Sequence, residues 1–359
     1  MSRARTLADQ FNSDGDLALT PVASVNAGQI GGRRNLIING AMQVAQRGTS
    51  FSSVTESYTL DRMKVYRNGS QNFNVTQESD APTGSGLNKS IKIETNVADS
   101  TLDSTDYSIF QYNIEGQDLQ QLAYGSSDAK SSTLSFWVKS NMTGNLSVTS
   151  EVNVGPPYLS GYVTINTANT WEYKTITYIG NTSTAIDNDN STGVEFQFWL
   201  SAGSGFSGGT YNDTSWNNDS DARVNPVNQI NIQGTTGNYI QFAGLQYELG
   251  SNASDFEHRS YGEELSLCGR YYQKWADVNW ILGVEGTRNT KLPFQFSTLM
   301  RANPTCTISG GSATNGALAG TGVVDPKKEM VNLHFWRGVS GGLVNATFSG
   351  YTLVADAEL

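Results

Sequence analysis

Any catalysis or metal binding by this 359-residue chain would have to draw on two histidines, two cysteines and 33 carboxylates. His258 stands beside Arg259, where a hydrogen-bonded structural role is expected, and His334 lies in an apolar strand, where a satisfied core position is expected. Cys268 and Cys306 are too few for a disulfide framework or a four-thiolate metal site and read as unpaired buried thiols. Carboxylate pairs are unavoidable at this number, and no spacing singles out the pair a glycosidase needs. A phosphate loop and His-Glu-x-x-His are missing, as are the repeated rungs of a long β-helix. The expectation is a non-enzyme with no catalytic residues and no cofactor. Asp213, Asp219 and Asp221, and Asp187 with Asp189, offer hard oxygen ligands for calcium. They lack the Gly and distal Glu of a helix-loop-helix site, so solvated turns are expected and no metal.

Aromatic side chains in two loops suggest different chemistry. Tyr158 and Tyr162 follow Pro156-Pro157, and Phe206, Tyr211 and Trp216 punctuate a Gly-, Asn- and Asp-rich run over residues 203–219. Exposed rings can stack on the C–H face of a sugar while amides and carboxylates bond its hydroxyls. These five are the candidate ligand-binding residues. The competing reading is that such aromatics fold back to cover a sheet edge.

The elements that must hold these loops are strands. Residues 73–76, 90–94, 108–114, 133–138, 162–165, 175–179, 194–200 and 239–245 alternate apolar and polar, with Gly, Asn, Asp and Ser between them. That pattern predicts an antiparallel sandwich closed as a jelly roll over residues 35–259, with a helical turn near 119–123. Residues 261–275 predict one helix. Leu265, Cys268 and Tyr272, with Leu267, Tyr271 and Trp275, fall on its inner face, and Glu263, Glu264, Arg270 and Lys274 point outward. This linker helix, 260–276, leads to a C-terminal β tip domain, 277–359, with strands at 280–284, 292–296, 305–308, 330–336 and 345–353. The stretch at 310–322 reads as a flexible loop or weak hairpin, and the Gly-rich turn at 337–342 is the candidate contact loop. Residues 1–34 hold too little apolar content for a core and read as an arm. The fold class is therefore all-β: N-terminal arm, jelly-roll sandwich, short helix and small C-terminal β-sandwich.

Composition agrees, with 37% hydrophobic and only 16% charged residues. The net charge of −10 argues against nucleic acid as a partner. No apolar run is long enough for a transmembrane helix, and the N-terminus lacks a signal-peptide core, so membrane insertion is not expected and synthesis in a cytoplasm is.

Several blocks also carry a family resemblance: Asn35-Leu36-Ile37-Ile38-Asn39-Gly40 with Asp61-Arg62, Leu134-Ser135-Phe136-Trp137, Asn169-Thr170-Trp171-Glu172, and Leu245-Gln246-Tyr247-Glu248-Leu249-Gly250. Phe256-Glu257-His258-Arg259, Cys268-Gly269-Arg270-Tyr271-Tyr272, Met300-Arg301-Ala302-Asn303-Pro304-Thr305 and the terminal Ala355-Asp356-Ala357-Glu358-Leu359 complete the set. In this order they resemble tail-fibre and appendage proteins of tailed bacteriophages, of the marine and cyanophage type. The resemblance implies a virion protein that attaches to host surface polysaccharide or lipopolysaccharide as a homotrimer. It also implies an N-terminal anchor to other virion proteins, for which Arg3, Arg5, Leu7 and Phe11 are the candidate residues. Its alternatives are a capsid decoration or neck-appendage protein and a polysaccharide-degrading tailspike.

Overall fold

The computed structural model describes residues 33–284, 289–315, 317–336 and 344–359, with the two-residue strands β1 (Ser24–Val25) and β2 (Gly28–Gln29). Arg3, Arg5, Leu7 and Phe11 and the turn at 337–342 lie outside the described residues.

Two six-stranded antiparallel sheets face each other. The first runs β11 (Tyr158–Ile165), β10 (Gly144–Val152), β13 (Thr192–Ala202), β8 (Tyr107–Glu115), β5 (Lys64–Asn68), β4 (Glu56–Tyr58). The second runs β12 (Glu172–Tyr178), β9 (Ser132–Ser140), β14 (Tyr239–Leu249), β7 (Ser90–Val97), β6 (Asn72–Glu78), β3 (Ser50–Val54). Period-two patterning decides which face turns inward: Val194, Phe196, Phe198 and Leu200 of β13 enter the core, while Glu195, Gln197 and Trp199 face away from it. At the centre Phe110, Phe136, Phe198 and Phe242 interlock with ring centroids 4.9–6.0 Å apart. Each such pair adds about 0.5–1.5 kcal/mol beyond the burial of its area. The expected helical turn is two 3-10 turns, Gly116–Asp118 and Gln120–Leu122.

After two short helical segments, α1 (Ser204–Ser207) and α2 (Tyr261–Gly269), the chain builds a smaller sandwich. One of its three-stranded sheets is β15 (Tyr272–Val284), β20 (Val344–Asp356), β17 (Thr305–Thr314), and the other is β16 (Asn289–Gln295), β19 (Met330–Trp336), β18 (Ala317–Val324). The stretch at 310–322 is thus not a hairpin: it is mostly strand, the end of β17 in one sheet and most of β18 in the other. Leu333, Phe335, Phe348 and Leu353 form the core, with Trp275 stacked on Phe296 at 5.6 Å.

The helix is shorter than its spacing predicts. Ser260 caps its start, accepting from Glu263 N at 3.2 Å, but the helix stops at Gly269 and Tyr272 already pairs with Asp356 in β20. Lys274 and Trp275 therefore belong to a strand. The ladder offered by the C-terminal strand competes with another helical turn and wins, and Tyr and Trp suit a pleated surface. Glu264 does not face outward either: it is buried, and its Oε1 accepts from Asn39 N at 2.6 Å. Cys268 is fully buried and Cys306 half-buried, both as free thiols. His334 is half-buried on the outer face of its strand rather than in the core.

The two sandwiches are welded by charge. Arg62, 1% exposed, lies 3.5 Å from the Tyr271 ring centroid, donates to Asn113 O at 2.6 Å and pairs with Glu358. Arg47 reaches the same carboxylate at 3.2 Å and Asp356 at 3.0 Å. Arg270 grips buried Glu115 with two bonds of 2.7 Å. Removing one partner of a buried pair costs about 3–5 kcal/mol because the other charge stays enclosed. Glu358→Ala should lower unfolding stability by about that amount in denaturant titrations. A loss below about 1 kcal/mol would mean that water answers the Arg62 charge and the weld is not what holds the junction.

Candidate functional site

The outward face of the first sheet is polar yet closed. Cross-strand register places Tyr158, Glu151, Glu195 and Asn113 in one row and Ser160, Thr149, Gln197, Gln111 and Lys64 in the next. Glu151 and Glu195 oppose each other directly at 3% and 5% exposure. Glu195 accepts from Gln111 Nε2 at 2.5 Å and Gln197 Nε2 at 2.6 Å. Arg223 Nη1 donates to Glu151 at 3.1 Å while its guanidinium sits 4.9–5.1 Å from the ring centroids of Tyr158, Trp199 and Phe206. Burial pushes the Glu151 carboxyl from 4.5 up to about 7, with Glu195 adding to the rise and Arg223 opposing it. Burial pushes Glu195 up as well. A substrate would reach this pair only if the Arg223 cover moved.

The five aromatics expected to meet a ligand are dispersed. Tyr158 and Tyr162 are in strand β11 and not in a loop, because the ladder with β10 starts directly after Pro157. Phe206 folds back onto Tyr107 and Trp199, with centroids 5.3 and 5.2 Å away, covering the sheet. Trp216 also turns inward, donating from Nε1 to Ile179 O at 2.9 Å and meeting Tyr124 edge-on at 5.8 Å. Only Tyr162 and Tyr211 meet each other, at 6.0 Å and 67°, and the Tyr211 hydroxyl is enclosed without a partner. They form an edge contact, which offers no flat platform. The loop aspartates serve the backbone: Asp219 accepts from Asp221 N at 3.0 Å and Asp189 from Ser191 N at 2.8 Å.

An open aromatic site lies on the outer face of the second sheet. Phe136 and Val138 point into the core, so Trp137 between them points out, directly opposite Tyr173 of β12. The two rings are 5.3 Å apart and tilted by 52°, and Tyr173 is 44% exposed. Ala253, Ser254, Asp255, Phe256 and His258 line the same groove, where Phe256 and His258 meet edge-on at 5.0 Å. Gly84 and Ser85 close one end of a groove of about 610 Å³. Gly244, at φ +61° in a β-bulge of β14, lets Leu87 and Trp137 pack against the sheet: a Cβ there would lie 2.6 Å from Leu87 and 3.4 Å from Trp137. The Asp255 carboxylate and both His258 ring nitrogens make no hydrogen bond among the described residues, leaving polar groups in the same groove as the tilted ring pair. His258 is thus exposed at a groove and does not play the hydrogen-bonded junction role that its neighbour suggested. That role falls to Arg259, which donates to Ile37 O at 3.0 Å and Glu257 at 3.1 Å.

Sequence reasoning missed this groove. Trp137 was legible as outward-facing from the alternation of its strand, but its pairing with Tyr173 across β9 and β12, and the approach of residues 253–258, have no local signal.

No family model and no curated protein matches this sequence. Solved structures with some backbone likeness include the enzymatically active domain of bacteriophage CBA120 tailspike protein 4, at TM-score 0.33 and 13% identity over 60% of this chain and 21% of that one. The module TmCBM61 in complex with beta-1,4-galactotriose gives TM-score 0.29 and 11% identity over 61% of this chain and 100% of that one. A family 11 carbohydrate-binding module from Clostridium thermocellum gives 0.29 and 10% over 58% and 99%. The chain spans about a fifth of the length of the tailspike chain. Likenesses at this level carry no functional argument.

The buried acid pair predicts a pH response. The folded chain keeps a proton on Glu151 that the unfolded chain releases above 4.5, so this contribution to stability is present below pH 4.5 and lost as pH rises through about 7. Carbon NMR titration of the Glu151 carboxyl should give a midpoint near 7, and an ordinary midpoint near 4.5 would show the pair to be hydrated.

Proposed function

We propose that this protein binds glycans through the Trp137–Tyr173 groove, and does so as a tail fibre or appendage of a tailed bacteriophage attaching to polysaccharide or lipopolysaccharide on its host. The observation that carries the binding reading is the outward-facing ring pair in the same groove as the unpaired Asp255 carboxylate and His258 imidazole. A pyranose presents an apolar C–H face and an edge of hydroxyls. Trp137 and Tyr173 suit the first, and Asp255 and His258 can accept from or donate to the second. Such a site works by stacking and hydrogen bonds, as the net charge of −10 requires at an anionic cell surface. The virion role rests on the ordered sequence blocks that resemble phage appendage proteins. On that reading residues 1–34 anchor the chain to other virion proteins, and a homotrimer makes individually weak sugar contacts durable by multivalency.

Glycan-array binding of the recombinant chain tests the site, and immunogold labelling of purified particles tests the location. Trp137→Ala and Tyr173→Ala should each weaken binding by about tenfold or more, the loss of about 1.4 kcal/mol expected when a central aromatic anchor is truncated. Phe206→Ala should lower stability and leave binding intact. A folded protein that binds no glycan, or binds equally well without Trp137, would favour a capsid decoration role.

A further inference from the structure

A second cleft, of about 380 Å³, opens where the two sandwiches meet. Arg270, Arg301 and Lys328 line it against one carboxylate, Asp189, a local reversal of sign in a chain whose net charge is −10. Arg270 is neutralised by Glu115. Arg301 is not: its Nε, Nη1 and Nη2 donate to the carbonyls of Ala357 at 2.8 Å, Asn190 at 2.7 Å and Glu358 at 2.9 Å. Three of its five N–H donors are used and no carboxylate answers its charge. Those carbonyls also fix the planar fork, so little side-chain freedom is lost when it takes a ligand. The Lys328 ammonium makes no ion pair or hydrogen bond among the described residues. Asp189 is engaged by the backbone N–H and hydroxyl of Ser191 at 2.8 and 3.3 Å. Leu299 on the same wall is 52% exposed, an apolar surface beside the cations.

We propose that this cleft binds the anionic group of a charged saccharide, either the carboxylate of a uronic acid or the phosphate of a sugar phosphate, between Arg301 and Lys328, with the sugar ring against Leu299. A fixed guanidinium beside a free ammonium matches a multi-oxygen anion, and the exposed leucine distinguishes the site from one for a bare ion. It shares no residue with the Trp137–Tyr173 groove and does not depend on it.

Calorimetric titration of the full-length chain with glucuronate, glucose 6-phosphate and glucose tests the proposal. One or both anionic sugars should bind, more weakly as salt is raised, and glucose should not. Whichever anion binds identifies the source of the charge. Lys328→Glu should weaken binding by about tenfold or more, while Lys327→Glu, next to it but outside the cleft lining, should leave it unchanged. Trp137→Ala should also leave it unchanged, so failure of the groove reading and failure of this one are told apart. No binding of either anion, equal binding of glucose, or full binding by a folded Lys328→Glu variant would overturn the proposal.

Discussion

The Arg62 guanidinium is enclosed at 1% exposure between the rings of Tyr271 and Tyr112, and a charge so placed must be answered by another charge. Glu358, one residue from the end of the chain, answers it. This requirement draws the C-terminal tail back across the second sandwich to the first, where Tyr58 also donates to Leu359 O. The opening segment is tied into the same place: Asn39 donates to Val44 O and Asp61 O at 2.9 Å each, and its backbone N to Glu264. Most of the blocks that resemble phage appendage proteins converge on this one junction. That is a physical reason for such motifs to be architectural: they specify how two sandwiches are fastened and say little about what either one touches.

Fastening the sandwiches in this way has consequences for where a ligand can be met. The first sheet uses its outward face for a dense polar network, with Arg223 lying over the rings of Tyr158, Trp199 and Phe206. In it Gln111 and Gln197 answer Glu195 while Arg223 answers Glu151, and a partly satisfied network would be costly, so little of it is left to offer a ligand. The second sheet leaves its outward face open at Trp137 and Tyr173. The groove lies where residues 253–256 and 258 come to the outer face of Trp137 and Tyr173, and the cationic cleft lies where the two sandwiches meet.

The alternation of apolar and polar residues made the strands legible, and Gly, Asn and Asp marked their turns. Period two forces one face inward whatever the partner strand is, so Phe198 and Phe242 could be placed in a core from their neighbours alone. The same local logic failed where a distant element intervened. Tyr271, Tyr272 and Trp275 fit a helix by spacing, yet the C-terminal strand captured Tyr272 onward. Gly144–Val152 did not stand out as a strand, because its polar Ser147, Thr149 and Glu151 are buried on the outer face and its apolar content is low. Phe206 and Trp216, read as possible sugar contacts, found sheet and core surface to cover instead.

What the sequence determined by itself was the architecture: two β-sandwiches, a helix between them and a composition low in charge, because these follow from periodicity, turn chemistry and residue counts acting over a few residues. What only the tertiary structure decided was the surface chemistry. Trp137 meets Tyr173 through strand pairing, Asp255, Phe256 and His258 join their groove by long-range packing, and Arg301 and Lys328 come to line one cleft. Contacts between residues far apart in sequence depend on register and docking, and neither is encoded in any local pattern.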